Sequence, residues 1–265
     1  MIRTPQLAAR RVRQTFSFAN GPQILWDLAA GRTPWGPEDL RFTTRAGVTI
    51  VCPNVPGARV PVYELFVEDA YRLDDLTRGL PSDFTTLDIG GQVGCFSTAL
   101  AKHSPKARIH AYEASPTTAS WLLRNVEGNG IADRVTVHNV ALSDHRGTLT
   151  FADNGSGSGQ NGLTAPEGTT TEIEVPCVTF ADAVAEAGGR VDLVKLDTEG
   201  AEYDIVLSGS PADWAGVQRM VLEYHPVQGH SWSELEAFLA TAGLTATRHE
   251  EAGVGLGTVW LSREG

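Results

Sequence analysis

Three short stretches of this 265-residue chain place glycines, acids and a histidine where they can do chemistry. Leu87-Asp88-Ile89-Gly90-Gly91-Gln92-Val93-Gly94 runs from an apolar segment into a glycine-rich turn. Glycine there lets the backbone turn tightly and approach a ligand closely. Lys195-Leu196-Asp197-Thr198-Glu199-Gly200-Ala201-Glu202 crowds three carboxylates behind another apolar run. Acids this close raise one another's pKa or hold a cation; the bland alternative is capping of the helix that follows. Leu222-Glu223-Tyr224-His225-Pro226 puts a histidine at a third strand end. It is either a candidate general base or a structural residue before proline.

The elements that must carry these residues follow from patterning. Residues 85–89 read as a strand, about 93–102 as a helix and 108–112 as a strand. Residues 116–128 read as a helix and 135–140 as a strand. Ser115 is a natural N-cap for the second helix, and Pro116 suits its first turn. Strand alternating with helix is the pattern of a parallel sheet covered by helices. A second half repeats it, with strands at 192–196 and 217–223 and helices at 201–207 and 232–242. Segments 244–250 and 257–261 are expected to close the sheet as an antiparallel hairpin. In such a sheet, sites form at the carboxyl ends of strands, which is where all three stretches fall.

The first eighty residues read differently. Residues 7–30 suggest two short helices broken at Asn20-Gly21-Pro22, and 41–53 a strand–turn–strand. Residues 62–76 suggest a helix with Phe66, Ala70 and Leu73 on one face. Residues 1–80 are therefore expected to form a substrate-side cap, and 81–265 the ligand-binding domain. Residues 147–177 contain the Gly/Ser-rich run 153–162, which reads as a lid or an uninvolved surface loop. Trp26, Trp35 and Phe42 are candidates for an apolar acceptor pocket, with core packing as the alternative.

Glu113 ends the second core strand, where a carboxylate can accept both hydroxyls of a ribose. The loop lacks the third glycine of a dinucleotide site and has no lysine of the phosphate-loop kind. A nucleoside without phosphates is thus favoured over NAD or ATP, and S-adenosylmethionine is such a ligand. The net charge of −11 repels phosphate backbones, so no nucleic-acid partner is expected. No apolar run approaches the ~20 residues of a membrane span. The Arg10, Arg11 and Arg13 cluster reads as a solvated helix face, since no apolar stretch follows it. Three cysteines at wide spacing offer neither a disulfide framework nor a zinc site, which suits the cytoplasm.

Together these blocks resemble the FkbM family of methyltransferases. The resemblance runs from Glu64 to Glu223: Tyr63-Glu64 to Tyr71, Leu87 to Gly94, Tyr112-Glu113-Ala114-Ser115-Pro116, Val140-Ala141-Leu142-Ser143-Asp144 with Gly147, and Lys195 to Glu202. It implies a Rossmann-like class I methyltransferase fold: a mostly parallel seven-stranded sheet, helices on both faces and an antiparallel C-terminal hairpin. It implies S-adenosylmethionine as methyl donor and O-methylation of a hydroxyl on a small molecule, such as a natural product or sugar. Asp88, Gly90, Gly91 and Gly94, with Gln92, would line the methionine and ribose region. Glu113 and Ala114 would meet the ribose, and Asn139, Val140 and Ala141 would lie near adenine. Asp197 would sit near the transferred methyl, and Glu64, Tyr71, Glu199 and His225 would face the acceptor. The family loop reads Gly-Ala-Asn where this chain has Gly90-Gly91-Gln92. His225 is the first choice of general base, with Asp197 or Glu202 second. No metal is predicted, although a divalent cation held by these acids is another way to lower a hydroxyl's pKa. Transfer to nitrogen or carbon, and a Rossmann-type nucleotide-dependent oxidoreductase, are the alternatives. No motif specifies the oligomeric state.

Overall fold

Two short helices, α1 (Thr4–Thr15) and α2 (Gly21–Ala30), lead into an antiparallel hairpin of β1 (Asp39–Thr43) and β2 (Thr49–Pro53). The computed structural model describes residues 4–31, 36–153 and 171–263. Trp35 and the 154–170 part of the Gly/Ser-rich segment lie outside the described residues. Phe18, Phe42 and Tyr63 meet edge to face, with ring centroids 5.2 to 5.8 Å apart. Trp26 is 72% exposed and Phe42 is buried in the core; neither lines the cavity described below.

The helix expected over 62–76 is instead two pieces, α3 (Pro56–Phe66) and α4 (Leu73–Leu76). Helix α3 starts six residues before the expected helix and carries Pro61 inside it. Asp69 and Arg72 then adopt left-handed φ of 49° and 54°, which ends the helical path. Phe66, Ala70 and Leu73 therefore do not share a helix face.

From residue 85 strand and helix alternate as patterned: β3 (Thr85–Ile89), α5 (Cys95–His103), β4 (Arg108–Tyr112), α6 (Pro116–Gly128) and β5 (Val135–His138). Ser115 caps α6, its hydroxyl accepting from the Thr118 amide. Next come β6 (Ala141–Leu142), β7 (Gly147–Asp153) and β8 (Thr171–Val178), which form a separate three-stranded sheet in the order β6-β8-β7. Two strands thus flank the segment read as a loop. Its Gly/Ser run masks the alternation of Leu149 with Phe151, and of Ile173, Val175 and Cys177. Helix α7 (Phe180–Glu186), capped by Thr179, was also missed. The chain ends with β9 (Leu193–Leu196), α8 (Glu202–Leu207), a 3₁₀ turn at Pro211–Trp214, β10 (Arg219–Tyr224), α9 (Trp232–Thr241) and the hairpin β11 (Thr245–Gly253)–β12 (Leu256–Ser262).

The main sheet has seven strands in the order β11-β12-β10-β9-β3-β4-β5. The five from β10 to β5 are parallel; β12 and β11 close it antiparallel. Chain order reverses between β3 and β9, and ligands bind at such a switch point. One core cluster packs α7, α8 and α9 on Leu87, Ile89, Val194, Leu196 and Leu222. The other joins Leu40, Phe42 and Val62 of the N-terminal segment to Phe96, Leu100 and Leu122. The edge of β2 is not left bare: the Asn125 amide of α6 both donates to Val51 O and accepts from Val51 N, each at 2.8 Å. None of the described helices is long and apolar enough to cross a membrane.

Candidate active site

The floor of the site is set by strand register. Asp88 of β3 lies opposite Lys195 of β9, both buried. Lys195 Nζ lies 3.5 Å from Asp88 Oδ1 and 3.6 Å from Asp197 Oδ2, and donates to Gly90 O at 2.6 Å. Burial works against its charge, but Asp197 and Asp88 outweigh burial and raise its pKa. Ser97 donates to the other Asp88 oxygen at 2.6 Å. Asp88 is therefore a tether beneath the glycine loop.

That loop is built by backbone. Gly90 has φ of 78°, and a Cβ there would lie 1.7 Å from Asp197 O, so the turns after β3 and β9 touch only because residue 90 has no side chain. The Gly90 and Gly91 amides both donate to Tyr112 O. The Gln92 amide donates to Glu113 Oε2 and the Ser115 amide to Glu113 Oε1, each at 2.9 Å. Burial pushes Glu113 up to about 7 despite those donors. Gln92 Oε1 is a buried acceptor with no partner among the described residues.

These turns border a cavity of about 580 Å³, within the range of small-molecule sites. At one end, Gly90, Gly91, Gln92, Glu113 and Ala114 give way to the apolar wall of Val140, Ala141, Leu142 and Phe151. At the other end stand Asp197, Glu199, Glu223, Glu64 and Tyr71. Tyr71 donates to Asp197 Oδ2 at 3.0 Å, and Trp260 Nε1 holds the Tyr71 carbonyl at 2.9 Å.

The β9–α8 turn is tied by Glu202. Its fully buried carboxylate accepts from the Thr198 amide at 2.8 Å, the Thr198 hydroxyl at 3.0 Å and the Gly200 amide at 3.1 Å. His225 Nδ1 sits 3.1 Å away. Burial opposes the charge of Glu202, but His225 and the turn donors hold its pKa below the usual value. This knot keeps Glu199 at a left-handed φ of 56°, a conformation non-glycine residues reach only when their surroundings enforce it. His225 Nε2 faces Glu199 Oε2 at 3.4 Å and Glu223 Oε1 at 3.9 Å. Burial disfavours the imidazolium, but Glu202 and the other acids push His225 up to about 9. Burial raises Glu199 to about 7 and also raises Glu223.

Of the residues singled out in the sequence, Asp88, Gly94, Asn139, Glu202 and His225 do not line the cavity. Gly94 packs on Leu122, and Asn139 staples the Glu113 and Ala114 carbonyls at 2.9 and 3.0 Å. The others line it. Lys195 and Glu223 went unremarked although both stand in quoted stretches. Period-two alternation along β10 places Glu223 on the face of Val221, the register partner of Lys195. Gly57, Val60 and Pro61 also line the cavity and carry no chemical signal in the sequence.

The model of the methyltransferase FkbM domain matches residues 88–249. A 31-O-demethyl-FK506 methyltransferase FkbM of Streptomyces tacrolimicus is 27% identical over 81% of this chain and 91% of its own length. Methyltransferase sdnD of Sordaria araneosa is 27% identical over 70% of this chain and 81% of its own. Among solved structures, the METTL16 MTase domain superposes with a TM-score of 0.50 at 15% identity, covering 82% of this chain and 74% of that one. At that identity the likeness is one of fold.

Proposed function

The chain belongs to the FkbM family of methyltransferases, and on that premise we propose that it is an S-adenosylmethionine-dependent O-methyltransferase acting on a hydroxyl of a small molecule. One observation carries this reading: a single cavity at the strand switch point has a backbone-built end beside Glu113 and an acidic end beside Asp197. The first suits a nucleoside. The unpartnered Gln92 Oε1 offers it a further acceptor, and the wall from Val140 to Phe151 suits an adenine. The second suits the positive sulfonium and an acceptor that must lose a proton. The name of the Streptomyces relative points to a natural-product hydroxyl, and the charge of −11 disfavours nucleic acid.

When bound, S-adenosylmethionine supplies a methyl group already activated by its sulfonium. The chain's part is to hold an acceptor oxygen in line, which supplies much of the rate, and to take its proton. Glu199 lines the cavity, and its one ion-pair partner among the described residues is His225, so we assign it the proton. Asp197 is the weaker base, because Tyr71 and Lys195 both engage its Oδ2. His225 stands behind the cavity wall and acts as a positioning residue. Calorimetric titration with S-adenosylmethionine, beside NAD, tests the reading. Saturable binding of the first alone is expected; a folded protein that binds neither, or only NAD, would overturn it.

A further inference from the structure

We propose that Asp197, Glu223 and His225 form a binding site for one divalent cation of the Mn²⁺ class at the acidic end of the cavity, with Asp197 and Glu223 lining the cavity and His225 Nε2 reaching the ion from behind the wall. One ligand atom from each lies within 4.8 Å of the others, close enough for small side-chain rotations to bring all three onto a single ion. All three come from the ends of adjacent parallel strands, β9 and β10, so rigid elements hold them in place.

The ligand atoms are uncommitted. The Glu223 carboxylate makes no hydrogen bond among the described residues, and its one ion-pair partner among them is His225 at 3.9 Å. Tyr71 and Lys195 both engage Asp197 Oδ2, which leaves Oδ1 for a ligand role. His225 Nε2 faces only carboxylates. Its other nitrogen is held at 3.1 Å by Glu202, which is fully buried. A metal-binding imidazole is commonly oriented in this way, its second nitrogen donating to a carboxylate outside the ligand set. Charge points the same way: Glu64, Asp197, Glu199 and Glu223 share this end, while the Lys195 ammonium is divided among Asp88, Asp197 and the Gly90 carbonyl.

Two carboxylates and one imidazole suit Mn²⁺ and its first-row neighbours better than Ca²⁺. Three protein ligands leave coordination positions open toward the cavity. Binding displaces the Nε2 proton of His225. The role in transfer rests on the methyltransferase reading above; the binding does not. A hydroxyl on the ion is acidified and gives its proton to Glu199. Its oxygen then forms the bond to the methyl carbon as the carbon–sulfur bond breaks, and the sulfonium leaves as a neutral thioether.

The test is titration of chelator-treated full-length protein with Mn²⁺ alone, read by electron paramagnetic resonance, with S-adenosylmethionine calorimetry on the same samples. One ion per wild-type chain is expected, with spin-echo modulation from one imidazole nitrogen. Glu223→Gln and His225→Gln should each weaken binding by about tenfold or more and leave S-adenosylmethionine affinity within about twofold. Absence of saturable Mn²⁺ binding to folded wild type, or of the nitrogen modulation, would overturn the site even if neither variant folds. Wild-type affinity in both variants would do the same. Mn²⁺ binding without S-adenosylmethionine binding would instead sink the methyltransferase reading alone.

Discussion

The two ends of the cavity are made of different material. At the end proposed for the nucleoside the working surface is main chain: the Gly90–Gly91 turn, the Gln92 and Ser115 amides and one carboxylate they clamp. At the acidic end the surface is side chains from α3, the stretch before α4, and the ends of β9 and β10. A backbone site tolerates almost no added atom, whereas a side-chain site can change one residue at a time. The methyl donor proposed for the first end is the constant partner, and the acceptor proposed for the second is the variable one. Construction matches that division.

Several substitutions would break or sharpen this contrast. Gly90→Ala should be the most damaging, since its Cβ would meet Asp197 O at 1.7 Å at a φ of 78°. We expect cofactor affinity to fall about 100-fold, or ~2.8 kcal/mol. Gly91→Ala should cost far less, because its Cβ meets the movable Cδ1 of Leu122 at 2.6 Å. Equal losses by calorimetry would refute the backbone account.

Lys195→Met removes the cation under both ends and strands the fully buried Asp88. Breaking a buried pair from one side costs about 3–5 kcal/mol, which urea unfolding will read. A loss below ~1 kcal/mol would mean that Ser97 alone suffices.

Glu113→Gln should lower S-adenosylmethionine affinity by about 1.5–3 kcal/mol, the worth of a hydrogen bond to a charged group. Burial raises this carboxyl to about 7, so its ionised fraction grows as pH rises through that value. Wild-type affinity should therefore rise across neutral pH and level off above it, and the variant should lose that dependence. A pH-independent wild type would remove Glu113 from ligand contact.

The smallest effect is expected at Glu64, half-buried on α3. Glu64→Gln should raise the acceptor KM a few-fold, about 0.5–1 kcal/mol for one partly screened charge, and leave cofactor affinity unchanged. A matching loss in cofactor affinity would mean that the two ends are not separable.

Much of the nucleoside end was legible because its parts are neighbours in sequence. A strand, a glycine turn and a helix within residues 85–103 specify a loop whatever surrounds it, and Glu113 follows at the next strand end. The acidic end was half legible. Asp197, Glu199 and His225 stood out as residue types, but Glu202 and His225 were read as cavity groups when they form a knot behind its wall. Glu223 was passed over beside His225, although strand alternation places it on the face of Val221, the register partner of Lys195. The strands β7 and β8 were hidden because composition speaks for the whole 147–177 segment, while alternation speaks only for its flanks.

What the sequence by itself determined is therefore local: the succession of strands and helices, the glycine turn, the caps and the hairpin that closes the sheet. Each depends on residues within a few turns of one another, where backbone preference and apolar period act directly. What only the tertiary structure decided is which charges meet. Tyr71 reaches Asp197 across 126 residues, and Asp88 meets Lys195 through the register of two strands far apart in the chain. Register is settled when both faces of the sheet bury their apolar rows at once. The polar residues are carried to their partners by that packing, and no short-range pattern encodes it.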